Sequence, residues 1–269
     1  MEGSKKSMKS LDLRNKCVLV TGAAGHLGRA ICGQLSSAGA HLVVTGRSME
    51  RLRALVAELR AMGAPATMLQ ADIAQESERQ RMAEFISAEF GKLDGLVNNA
   101  YGGAVGTIET STVEQIRASL EISITAPFNL VQLLLPALRN SGAASIVNMA
   151  SMYGMVSPDG RIYGSSGYNS PPFYGAAKAG LIQMTRYLAC HLAEHNIRVN
   201  AVSPGPFPPQ SIKVNQPEFH GKLAGKVPMG RIGVADEIGG AVQFLLSEAA
   251  SYITGINLPV DGGWTAGSN

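Results

Sequence analysis

Tryptophan occurs once and cysteine only three times in a chain of 269 residues. Cys17, Cys32 and Cys190 are odd in number and far apart. They build neither a disulfide framework nor a metal-ligand spacing, and they read as buried thiols of a reducing, cytoplasmic compartment. Charged residues are scarce, at 16%, and the net charge of +3 is dispersed. That excludes a nucleic-acid footprint. No apolar run approaches the ~20 residues of a membrane-spanning helix. The N-terminal lysines have no apolar stretch behind them, so no secretory signal is expected. His41, His191, His195 and His220 follow no metal-ligand spacing, and no metal is expected. No Ser-His-Asp arrangement emerges, which argues against a hydrolase.

Glycine, by contrast, is abundant at 31 residues, and hydrophobic residues reach an ordinary 45%. The length fits one large domain over residues 11–269, behind a flexible leader at 1–10. Short apolar runs alternate with helical periodicity throughout. Strands are expected at 16–21, 41–45, 66–71, 93–97, 145–149, 197–202 and 256–260. Helices are marked by Leu27, Ala30, Ile31 and Leu35, by Leu52, Leu55, Val56 and Leu59, and by Met82, Phe85, Ile86 and Phe90. A long helix is expected from about Thr112 to Leu138, and another runs from Tyr174 to about Ala193. This alternation predicts an α/β fold with a parallel sheet covered by helices on both faces. Two long irregular stretches, 152–173 and 204–228, follow the carboxyl ends of strands, where such sheets bind ligands.

Gly22, Gly25 and Gly28, with His26 and Leu27 between the last two, form the first strand-to-helix turn. Such a turn lets backbone N–H groups and a helix N-terminus approach a pyrophosphate. The second strand ends in Thr45-Gly46-Arg47-Ser48, without a carboxylate to accept from a ribose 2′-hydroxyl. Arg47 offers a fork of donors to a 2′-phosphate. Ser48 can cap the next helix or meet a phosphate oxygen. NADP(H) is therefore the expected cofactor, with NAD as the alternative. Further on, Tyr174 and Lys178 lie four apart and share one helix face. A free tyrosine with a pKa of about 10 exchanges protons poorly near neutrality. A nearby ammonium lowers that value and makes a general acid and base.

Together, Thr21-Gly22 to Gly28, Asp72, Asn98-Asn99-Ala100, Ser151, Tyr174-x-x-x-Lys178 and Pro204-Gly205 resemble the short-chain dehydrogenase/reductase family over roughly residues 11 to 265. The resemblance implies a single Rossmann-type, doubly wound sheet of seven parallel strands. It also implies hydride transfer between a nicotinamide and a carbonyl or alcohol carbon. Tyr174 would be the acid and base, Lys178 would hold the nicotinamide ribose, and Ser151 would bind the substrate oxygen. Asp72 and Ile73 would lie at the adenine, Asn99 and Ala100 along the cofactor, and Pro204, Gly205 and Phe207 beside the nicotinamide. Dimers or tetramers of identical chains, formed through 112–138 and 174–193, are implied as well.

The chain departs from the family pattern at four places. His26 stands where the turn usually has glycine, and Tyr101 follows Ala100 where glycine is usual. Ser123 takes the place of the asparagine that holds a water in the proton relay. Ser151 and Tyr174 are 23 apart, about twice the usual spacing, so the segment between them is an expected insertion over the cleft. It carries Tyr153, Tyr163 and Tyr168 as expected substrate contacts. The pattern Ser-x-Tyr-Gly-x-Val-x-Pro followed by Pro-Pro-x-Tyr is similar to family members of sugar and polysaccharide metabolism. The expected activity is interconversion of a secondary alcohol and a ketone on a small polar, sugar-like substrate. The rivals are an epimerase or dehydratase on the same fold and a non-catalytic NADP(H)-binding protein. An intact Ser151, Tyr174 and Lys178 argue against the second.

Overall fold

Short, mostly apolar runs make the central strands. The computed structural model describes residues 11–103, 105–164, 166 and 169–267. The expected leader and Tyr168 lie outside these residues. In order come β1 (Cys17–Val20), α1 (His26–Ser37), β2 (His41–Gly46), α2 (Met49–Ala61), β3 (Ala66–Gln70), α3 (Glu76–Phe90) and β4 (Gly95–Asn98). There follow α4 (Val113–Leu120), α5 (Ala126–Asn140), β5 (Ser145–Met149), α6 (Pro172–Leu192) and β6 (Arg198–Pro204). The last elements are α7 (Gln210–Asn215), α8 (Pro217–Lys226), α9 (Asp236–Leu246) and β7 (Asn257–Val260).

The seven strands form one parallel sheet in the order β3-β2-β1-β4-β5-β6-β7. Strand order reverses between β1 and β4, which opens a crevice at their carboxyl ends. Alternate strand residues feed opposite faces. Val18 and Val20 join Ile31, Leu35, Leu52 and Val242 in one core layer, under α1, α2 and α9. Cys17 and Leu19 join Met82, Ile86, Leu130 and Leu188 in the other, under α3, α5 and α6. The helical stretch 113–140 is long and apolar enough to cross a bilayer by length and composition alone. Here Leu130, Leu134 and Leu138 bury its apolar stripe in the second layer.

Three expectations need correction. The stretch 204–228 is not irregular but carries α7 and α8. The long helix is interrupted by a π turn at Glu121–Thr125. Cys17 and Cys32 are buried as expected, whereas Cys190 is exposed, because it falls on the outer face of α6.

A small satellite core lies apart from both layers. Met152 and Ile162, from the segment between Ser151 and Tyr174, pack with Leu223 and Val227 near the end of α8 and with Trp264. Tyr163 stacks on Phe219 at 5.9 Å, and Asp159 pairs with Lys226 at 2.6 Å. The segment and α8 thus pack as one unit.

Candidate active site

The glycine turn is shaped so that side chains have no room. A Cβ on Gly22 would come within 2.7 Å of the Ala100 Cα, and one on Gly28 within 2.3 Å of the Gly22 carbonyl oxygen. Gly22 also has φ +62, which favours glycine. Asn99 clamps this turn to β4: its Nδ2 donates to the carbonyls of Thr21 (3.0 Å) and Gly22 (3.1 Å), and its backbone N–H donates to Thr21 Oγ1 (3.0 Å). The turn opens into α1, whose first residue is His26, so free N–H groups face the crevice. The result is a cleft of about 530 Å³ that includes Gly22, His26, Arg47, Asp72, Asn99 and Tyr101 in its walls. That volume suits a bound nucleotide.

Asp72 and Ile73 follow β3 and line the same cleft. The Asp72 carboxylate accepts from the Ala74 N–H (3.1 Å), which holds the loop. At the other edge stand Arg47 and Ser48. The Ser48 hydroxyl accepts from the Arg51 N–H (3.3 Å), so it caps α2. Arg51, which the sequence reading passed over, also lines the cleft, and its guanidinium donates to the Ala24 carbonyl (2.9 Å). Two guanidinium groups and no carboxylate therefore stand at the end of β2. This cradle, too tight for a Cβ and basic at one end, fits a phosphorylated dinucleotide.

Ser151, Tyr174 and Lys178 converge at the carboxyl end of β5. The Ser151 hydroxyl accepts from the Tyr153 N–H (3.2 Å) and stands near enough to the Tyr174 hydroxyl to oppose the effect of burial on it. Lys178 is buried and its Nζ donates to the Met149 carbonyl (2.6 Å). Burial pulls its pKa down to about 8. Here the sequence expectation is reversed. Burial raises the Tyr174 pKa above its usual value, and only the Ser151 hydroxyl works in the other direction. The ammonium does not reach the phenol oxygen; it sits beneath the ring, 5.8 Å from the centroid. Near neutrality this leaves a neutral phenol beside a charged lysine, poised to give a proton.

A buried polar ladder sets the position of α6. Asn98 donates to the Asn148 side-chain oxygen (2.8 Å), Asn148 donates to Thr185 Oγ1 (2.9 Å), and Thr185 donates to the Leu181 carbonyl (2.8 Å). The sequence signal was an asparagine inside each of two apolar strands. Ser123 is buried in the π turn, and its hydroxyl is without a protein partner. Glu121 of the same turn pairs with buried Arg79 (2.9 Å), which also donates to the Ile73 carbonyl (2.5 Å). Tyr153 and Tyr163 do not point apart as two separate contacts: their hydroxyls bond each other at 2.9 Å. Pro204, Gly205 and Phe207 are not among the residues that line the cleft. Gly205 extends the β6 ladder to Val260 (2.9 Å), and the Phe207 ring packs on Gly233.

A profile of the enoyl-(acyl carrier protein) reductase family matches residues 22–265. The chain belongs to the short-chain dehydrogenase/reductase family. It is 35% identical over 263 residues to a tropinone reductase homolog of Arabidopsis thaliana, covering 94% of each chain. It is 32% identical over 255 residues to 7alpha-hydroxysteroid dehydrogenase of Escherichia coli, covering 94% of this chain and 96% of that one. A gluconate 5-dehydrogenase of Burkholderia cenocepacia, solved with NADP and tartrate, superposes with TM-score 0.87 at 25% identity, covering 97% and 99%. As a short-chain dehydrogenase/reductase, the protein is an NAD(P)-dependent oxidoreductase of secondary alcohols and ketones. The family's glycine turn lines the cleft, and Tyr174 and Lys178 lie behind Tyr101 at its edge. Among the cleft residues outside the family's motif are Arg51, four residues past Arg47, and Tyr101.

Proposed function

We propose that this chain is an NADP(H)-preferring carbonyl reductase or alcohol dehydrogenase acting on a small polar substrate, with Tyr174 as its acid and base. The observation that carries this reading is the Ser151–Tyr174–Lys178 constellation, with Ser151 and Lys178 buried and Tyr174 half-buried, next to a cradle whose basic end holds Arg47 and Arg51. Bound there, the nicotinamide supplies or accepts the hydride. Ser151 and Tyr174 hydrogen-bond the substrate oxygen as charge develops on it. Tyr174 gives its proton in reduction and takes one in oxidation. Lys178 holds the nicotinamide ribose and keeps a positive charge near the phenol. The unpartnered Ser123 hydroxyl, in a buried polar spot, orients a water that resupplies the proton. The absence of a carboxylate after β2 supports a 2′-phosphate, as does the NADP bound in the Burkholderia relative.

The Tyr153–Tyr163 hydroxyl pair supports a hydroxylated substrate, since it presents both donors and acceptors beside Ser151. The gluconate 5-dehydrogenase likeness points the same way. We place residues 11–269 in one domain. We also propose that the chain assembles with copies of itself through α4, α5 and α6, where Val113, Ile116, Phe128 and Tyr187 are exposed. The test is Tyr174→Phe. Removing the hydroxyl leaves the ring's packing in place, and kcat for ketone reduction should fall about 10²-fold or more, the usual scale for a general acid. NADPH binding should persist. Turnover near wild type in that variant rejects the assignment.

A further inference from the structure

Tyr101 has no part in the reading above, yet its ring stands in the middle of the site. On one side it lines the dinucleotide cleft and is 40% exposed. On the other it meets the Tyr174 ring edge-on, centroids 5.0 Å apart, and lies 5.5 Å from Lys178 Nζ. Tyr101 belongs to the walls of the cleft, whereas Ser151, Tyr174 and Lys178 do not. The ring therefore separates the cradle from the lysine that must reach a ribose.

The residues after it make movement easy. A Cβ on Gly103 would come within 2.4 Å of the Tyr101 ring, so only glycine fits under the ring in this position. Gly102 and Gly103 together leave the backbone beside Tyr101 unusually free to rotate. The ring's neighbours are an aromatic edge and a cation at a distance where cation–π attraction acts. Such contacts are strong enough to seat a ring and weak enough to be exchanged for a ligand's.

We propose that Tyr101 is a gate on the nicotinamide half of the cofactor site: its ring covers the Lys178–Tyr174 pair and swings away on Gly102-Gly103 when a nicotinamide ribose takes its place. The proposal rests on the reading that Lys178 holds that ribose. It divides the cofactor in two. The adenosine bisphosphate half meets a cradle already built, whereas the nicotinamide half must first displace a ring.

The experiment measures dissociation constants by calorimetry for NADPH and for adenosine 2′,5′-bisphosphate, which lacks the second ribose. Wild type, Tyr101→Ala, Tyr101→Phe and Lys178→Met are compared. Tyr101→Ala should bind NADPH about tenfold more tightly, the scale of one lost cation–π and ring contact, and bind the bisphosphate as wild type does. Tyr101→Phe keeps the ring and should match wild type for both. Unchanged or weaker NADPH binding in Tyr101→Ala overturns the gate, and so does equal tightening of both ligands. If Lys178→Met leaves NADPH affinity unchanged, the ribose is not held by Lys178, and that reading falls together with the gate. If Lys178→Met weakens NADPH but Tyr101→Ala does not tighten it, the gate alone falls.

Discussion

Lys178 should destabilise the fold that needs it. Its side chain is 4% exposed, its Nζ donates to the Met149 carbonyl (2.6 Å), and burial pulls its pKa from the ordinary 10.5 to about 8. At about 1.36 kcal/mol per pH unit, the drop of roughly 2.5 corresponds to about 3 kcal/mol held against the folded state near neutral pH. The sign follows from proton counts. Between pH 8 and 10.5 the folded chain binds fewer protons than the unfolded chain, so the contribution of Lys178 to stability rises with pH through that window. Lys178→Met removes the charge and keeps most of the volume, but it strips the Met149 carbonyl of its donor, a loss of about 1 kcal/mol. In nucleotide-free protein the variant should therefore be more stable than wild type by about 2 kcal/mol at pH 7, and less stable by about 1 kcal/mol near pH 10.5. Urea unfolding of both proteins from pH 6.5 to 10.5 gives the difference curve. Cys17 and Cys32, both pushed up to about 12 by burial, lower stability as pH rises above 9, but they are common to both proteins and cancel. A flat difference between pH 7 and 10 would refute the reasoning.

The remaining expectations concern the cofactor, the relay and the satellite core. Arg47→Asp should reverse the NADPH-to-NADH ratio of kcat/KM, because a carboxylate repels a 2′-phosphate and accepts from a 2′-hydroxyl; a wild type that already favours NADH would show that neither Arg47 nor Arg51 reads the phosphate. Ser123→Ala should slow turnover moderately and Ser123→Asn should keep activity while shifting the pH–rate profile, measured from pH 6 to 10 at saturating cofactor. Identity of Ser123→Ala with wild type at every pH would remove Ser123 from the relay. Ketone reduction by wild type should decline as pH rises through about 8, where Lys178 loses its charge. Ile162→Ala should cost about 2–4 kcal/mol of packing in the satellite core and raise KM for the carbonyl substrate while the NADPH dissociation constant stays put.

The alternation of short apolar runs with helical stripes made the sheet and its order of elements readable, because buried parallel strands need continuous apolar sequence. The glycine turn and the Tyr174–Lys178 pair could be picked out because their spacings are tied to backbone geometry, whereas Ser151 was picked out only through the family resemblance. The helices in 204–228 were not. None of the residues of α7 is buried, and Leu223 is the buried residue of α8, so no apolar stripe marks either one. The π turn at Glu121–Thr125 was hidden too; its Glu121 pairs with Arg79 of α3, a tertiary contact that the local sequence does not give. The direction of the Tyr174 pKa was set by its burial, with no contribution from the Lys178 ammonium, and spacing along a helix gives neither.

The satellite core has a consequence for anyone who wants to change what this enzyme accepts. Met152 and Ile162 on one side and Leu223 and Val227 on the other hide the same apolar surface around Trp264. Replacing residues 217–226 with a relative's sequence would strip the cover from Ile162; replacing 152–171 would strip it from Leu223. Either graft exposes a greasy seam and invites aggregation before specificity is ever tested. The two stretches, some sixty residues apart in the chain, have to be exchanged as a matched cassette.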